Sequence, residues 1–132
     1  MIGAQPARAP LIVPANAAAA RLVRLVASAI AIDIGLDGDA LDDVRLVAGE
    51  LADSLVRTAD GDLMLEFRVD GREMTVSGDT RPPTSRPMLV DAELLHHAEV
   101  TGVRAHRWPG HFDVVASGPV ESPSDAGQPP RR

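Results

Sequence analysis

The chain contains no cysteine, no lysine and no tyrosine, and its aromatic residues amount to two Phe and one Trp. Without cysteine, neither a disulfide framework nor a thiolate metal site can form. All 13 basic residues are Arg, which removes any Schiff-base or phosphate-binding lysine. So few aromatic rings give no stacking platform for single-stranded nucleic acid, and they leave Ala, Val, Leu and Ile to build the core. No long hydrophobic run is present either. The longest apolar stretch, Leu22 to Ile34, is interrupted by Arg24 and Asp33 and falls well short of the roughly 20 residues that cross a bilayer. The segment from Met1 to Pro10 lacks the apolar region of a signal peptide, so a cytoplasmic protein is expected.

What is present is enough for one domain. A chain of 132 residues with 45% hydrophobic residues supports a single core. The formal net charge of −6 and pI near 5.0 argue against non-specific affinity for nucleic acid or anionic membranes and favour protein partners or small ligands. Residues 1–9 and 118–132 are rich in Pro, Gly, Ser and Arg with little to bury. Both ends are expected to be disordered around a domain at residues 10–117.

Within that domain, Leu11-Ile12-Val13 between Pro10 and Pro14 predicts a short edge strand, since Pro donates no ladder hydrogen bond. Asn16 is placed to cap a helix from Ala17 to about Ile32, with Leu22, Leu25, Val26, Ala29 and Ile30 as the buried stripe and Arg21 and Arg24 outside it. After a turn at Gly35 to Gly38, Asp39 is expected to cap a second helix to about Thr58, burying Leu41, Val44, Ala48, Leu51 and Leu55. Residues 62–69 and 72–78 alternate around Asp70-Gly71, a type I′ hairpin signal that pairs Val69 with Arg72. That puts Leu63, Leu65, Phe67, Val69, Met74 and Val76 on one face. The Pro-rich residues 80–87 predict an exposed loop and residues 90–98 a short helix. A second hairpin around Pro109-Gly110 pairs Trp108 with His111. Val103, Ala105, Phe112, Val114 and Ala116 then face inward, Arg104, His106, Trp108, His111 and Asp113 face outward, and Arg107 is a polar intruder on the inner side. Helical stripes and one-faced strands together predict an α+β fold, a two-layer sandwich with helices on one face of a mixed, mostly antiparallel sheet.

This element order, with residues 41–50 (Leu-Asp-Asp-Val-Arg-Leu-Val-Ala-Gly-Glu) and a carboxylate closing the first hairpin, resembles the anti-sigma-factor serine kinases of the histidine kinase-like (GHKL) ATPase superfamily. The resemblance covers about residues 11–117 and is strongest over 39–79. It implies the Bergerat-type sandwich. The family's pocket helix reads Glu-x-x-x-Asn where this chain has Glu50 and Ser54, at i and i+4 on one helix face. Its Asp-x-Gly-x-Gly motif stands here as Asp79-Thr80-Arg81-Pro82-Pro83, keeping the carboxylate and losing both glycines. By resemblance Glu50 is the catalytic residue, and Ser54, Asp79 and Arg81 form what is left of the nucleotide pocket. Magnesium-ATP is the implied cofactor. Arg and Pro cannot give the close backbone approach that Gly gives, and Ser54 is too short to replace an Asn magnesium ligand in tight octahedral geometry. Binding of magnesium-ATP is therefore expected to be weak or absent.

The function this implies is regulatory, an anti-sigma-like protein acting by protein binding. Arg21 and Arg24 would contact an acidic partner, a sigma factor or an anti-anti-sigma protein, and the family also implies dimerisation. One alternative is an active ATP-dependent serine kinase of an anti-anti-sigma partner; another is a non-catalytic module for a different small ligand. His96, His97, His106 and His111 fall close together, but adjacent His96 and His97 diverge on a helix. His106, His111 and Asp113 share a hairpin face with Trp108 and point to an interaction surface rather than a metal centre. No Ser-His-Asp set is indicated.

Overall fold

In the computed structural model, which describes residues 7–119, eight elements follow one another in the expected order. The disorder expected of the outermost residues at both ends lies outside the described residues. Strand β1 is Ala7–Pro14, helix α1 Ala17–Asp33, helix α2 Gly38–Thr58, strand β2 Asp62–Asp70 and strand β3 Glu73–Arg81. Helix α3 is Ala92–Glu99, strand β4 Arg104–Trp108 and strand β5 His111–Ser117. The first strand is longer than predicted and begins three residues before the expected domain boundary. Its two prolines are accommodated because β1 is an edge strand, where one row of backbone groups has no ladder to join.

The caps explain where the helices begin and end. Asn16 Oδ1 accepts from the Ala18 amide at 3.0 Å, satisfying one of the donors a helix start leaves open. The end of α1 is a Schellman closure. Gly35 takes φ +96°, its amide reaches Ile32 O at 3.0 Å, and the Leu36 amide reaches Ala31 O at 2.9 Å. The start of α2 departs from expectation. Asp37 is the cap residue and makes no side-chain capping bond, while Asp39 lies within the first turn, where its carboxylate meets the positive end of the helix dipole.

The sheet order is β1-β2-β3-β5-β4 and every strand pairing is antiparallel. The expected mixed character is corrected: no parallel pair occurs among the described residues. The β2–β3 turn also differs. Val69 pairs with Met74 rather than Arg72, so the turn centre is Gly71-Arg72. The left-handed φ occurs at Gly71 alone, the requirement of a II′ rather than a I′ turn. The register moves by two residues, so every side chain keeps its predicted face. The second hairpin pairs Trp108 with His111 as predicted.

All three helices pack on the inner face, against Leu63, Leu65, Phe67, Met74, Val76, Phe112, Val114 and Ala116, which are buried. The α2 stripe predicted from sequence packs into this core, with Val44, Ala48, Leu51 and Leu55 fully enclosed. Helix α1 follows its predicted stripe only in part, with Leu22, Val26 and Ile30 half-buried against the core. Its buried face is Ala19, Ala20, Val23, Ala27 and Ala31, whereas Leu25 is 70% exposed and Ala29 lies in solvent. Small residues let α1 lie close on α2, while Leu25 and Ile32 are left largely in water.

Candidate functional site

The four residues of the predicted nucleotide pocket fall in two groups. Glu50 and Ser54 lie one turn apart on α2, half-buried and buried respectively, in the helix layer. Asp79 and Arg81 lie on β3 at positions alternate to buried Met74, Val76, Gly78 and Thr80, so their side chains leave from the face of the sheet that no helix covers. Two observations fix this orientation. Asp79 Oδ1 is 2.6 Å from His111 Nδ1, and Arg81 Nη2 is 3.5 Å from Met64 Sδ, both partners on outward positions. The thickness of the sheet therefore separates the two groups, and the structure does not assemble one pocket from them. At the inward position beside Asp79, Gly78 admits the ring of Phe112 and the Leu55 side chain, since a Cβ there would stand 2.6 Å from Phe112 Cε2.

The two arginines expected to meet a partner are also placed differently from one another. Arg24 crosses the face of Gly49 and pairs with Asp53 at 2.6 Å. A glycine mid-helix costs about 1 kcal/mol against alanine, and here it leaves the room this arginine uses. Arg24 is thus half engaged in holding α1 to α2. Arg21 is exposed, with no ion pair among the described residues. It borders a shallow hollow of about 720 Å³ whose lining includes Ala18, Leu22, Leu25, Ser28 and Arg45. Arg45 Nε donates to Ser28 Oγ at 3.0 Å. Along this outward face run Ala18, Leu22, Leu25, Ala29 and Ile32, of which Ile32 is 59% exposed. Their +4, +3, +4, +3 spacing is that of a helix-pairing seam. The signal was available in the sequence, because α1 is apolar on nearly every side, and such a helix is ordinarily enclosed on every side.

A second constellation occupies the open sheet face where β3, β4 and β5 meet. His111 has a carboxylate at each ring nitrogen, Asp79 at 2.6 Å and Asp113 at 3.3 Å, and Asp113 also lies 3.1 Å from His106 Nδ1. A neutral imidazole can donate to one of the two carboxylates and a protonated one to both. With both nitrogens occupied, His111 has none left to act as a base on a substrate. Its effect is mechanical: Trp108 stacks on it with ring centroids 4.1 Å apart and planes 18° from parallel. Beside this stack is a cleft of about 570 Å³ whose walls include Arg81, Pro82, Pro83 and Pro109. Thr80 at its inner end is 3% exposed, and its Oγ1 has no hydrogen-bond partner among the described residues. The Asp79–His111 contact escaped the sequence reading because it requires β5 to insert beside β3, a pairing of non-consecutive strands.

His96 and His97 are exposed on α3, His96 Nδ1 standing 3.8 Å from Glu99. Among the described residues no group of three or more His, Asp or Glu is arranged to hold a metal ion, and no helix is long and apolar enough to cross a membrane. Neither a model of a known protein family nor a curated protein matches the chain.

Proposed function

We propose that this protein is a regulatory binding module on a histidine kinase-like scaffold. It captures a partner protein on the outward face of α1, as anti-sigma factors capture sigma factors or their antagonists, and it has no nucleotide chemistry of its own. The observation that carries this reading is the apolar seam of Ala18, Leu25, Ala29 and Ile32 left in solvent, with Leu22 half-buried among them. Each large apolar side chain moved out of water contributes about 1.5–3 kcal/mol, so this face gains most from a second helix laid along it. Arg21 and Arg45 border the seam in a chain whose net charge is −6. The partner surface is accordingly an amphipathic helix with carboxylates beside its apolar stripe, a mode of recognition read through anchors at helical spacing.

The separation of Glu50 and Ser54 from Asp79 and Arg81 supports the loss of ATP chemistry and weighs against the alternative of an active serine kinase. Titration calorimetry with magnesium-ATP is expected to yield no saturable heat at millimolar nucleotide. Binding to candidate sigma factors and anti-anti-sigma proteins of the same cell is expected to fall by at least about tenfold in Arg21→Glu or Leu25→Asp with thermal stability unchanged. Arg24 is left intact in this test because its pairing with Asp53 is structural. Nucleotide binding in the micromolar range, or partner binding indifferent to both substitutions, would sink the proposal.

A further inference from the structure

The open sheet face carries a site that the α1 reading does not use. We infer that the ridge of Trp108 and the hollows on either side of it bind an extended, proline-containing acidic peptide segment of a partner protein.

The shape argues for an extended occupant. Trp108 separates the 570 Å³ cleft walled by Pro82 and Pro83 from a second hollow of about 490 Å³ walled by Pro87 and Met88. A chain lying across the ridge reaches both, whereas a compact ligand fills one. The ridge is also held before anything binds. Trp108 is 54% exposed, yet its ring is seated on His111, which Asp79 and Asp113 clamp from both sides. An anchor already in place has little freedom left to lose on binding.

The chemistry then selects the segment. Proline rings pack on indole and on other prolines, and a polyproline II strand arrives with its backbone already ordered. Such a strand presents carbonyl oxygens and few amides, so it needs donors. The site offers the Trp108 indole N–H and two guanidinium groups, Arg81 in the first hollow and Arg107, which starts from the inner side of edge strand β4 and lines the second hollow where it wraps that edge. Among the described residues neither arginine has a carboxylate within 4.0 Å, while Asp79 and Asp113 are engaged by histidines. One unmatched cation on each side of an aromatic ridge complements carboxylates that flank a proline pair.

Trp108 is the chain's single tryptophan, so its emission reports occupancy directly. The full chain is titrated with a synthetic acetylated Glu-Pro-Pro-Glu peptide, with its Gln-Pro-Pro-Gln and Glu-Ala-Ala-Glu counterparts, and with a single-stranded oligonucleotide. A saturable blue shift with the first peptide is expected, weakened about tenfold or more by either replacement and by Arg81→Glu or Arg107→Glu. Circular dichroism of both variants checks that they fold. No saturable shift at millimolar peptide, indifference to both arginine variants, or an equal response to the oligonucleotide would overturn the inference. Residues 120–132 include Glu121, Pro123 and Asp125. If the chain ending at residue 119 binds the peptide and the full chain does not, the occupant is the protein's own segment and the partner assignment is wrong.

Discussion

At the scale of single residues, the positions that matter most are those where a missing or extra atom decides the packing. Gly78 lies mid-strand, where glycine ordinarily weakens a sheet, because Phe112 and Leu55 occupy the space a side chain would take. Gly78→Ala is expected to destabilise the fold by about 2 kcal/mol through overpacking, read as a lower urea midpoint with an unchanged slope. Thr80 presents the opposite case, a hydroxyl fully enclosed without a partner among the described residues. Thr80→Val keeps the shape and removes the unsatisfied group, so stability should rise by about 1 kcal/mol; a fall in the urea midpoint would mean the hydroxyl is paired in solution. Gly110 closes the β4–β5 turn with φ +77°, and an added Cβ would meet Thr80 Oγ1 at 2.9 Å. The same threonine thus limits what the turn beside Trp108 can tolerate.

At the scale of elements, α1 separates two meanings of hydrophobic. Leu25 and Leu51 are the same residue on neighbouring helices, the one largely in water and the other fully enclosed. Leu51→Ala should cost about 3 kcal/mol and Leu25→Ala less than about 0.5 kcal/mol, measured by denaturant unfolding of the isolated protein. Equal losses would put the Leu25 stripe back in the core. Periodicity located the helix and its N-cap, because 3.6-residue spacing and capping chemistry are local. It placed the stripe off centre, with Leu22, Val26 and Ile30 half-buried and Leu25 and Ala29 in water, because α1 has apolar residues on more than one side and the face that packs most deeply is settled by what α2 can approach. The alanines Ala19, Ala20, Ala27 and Ala31 allow the closer approach, and Gly49 receives the Arg24 stem on the other helix. The hairpins were more legible. Strict alternation leaves only two choices of face, and a two-residue error at the Gly71-Arg72 turn changed neither.

At the scale of the whole molecule, one core joins the helix layer to all the central strands. Unfolding followed by Trp108 emission from β4 and by far-ultraviolet circular dichroism of the helices should therefore coincide in a single transition. Separated midpoints would show that the β4–β5 corner opens by itself. The two surfaces proposed for binding lie on opposite sides of that core, the α1 seam outside the helix layer and the Trp108 ridge on the bare face of the sheet. The amino-acid sequence by itself determined the α+β class, the order of the eight elements, the inner and outer faces of the strands and the polar character of the Trp108 hairpin. Each of these follows from short-range periodicity, caps and turn residues. Only the tertiary structure decided that α1 leaves Leu25 and Ile32 in water, that β5 inserts beside β3 to bring Asp79 against His111, and that Glu50 and Ser54 lie in the helix layer while Asp79 and Arg81 leave from the bare face of the sheet. Those outcomes depend on which surfaces meet across dozens of residues of chain, a contest of packing and strand order that no local pattern encodes.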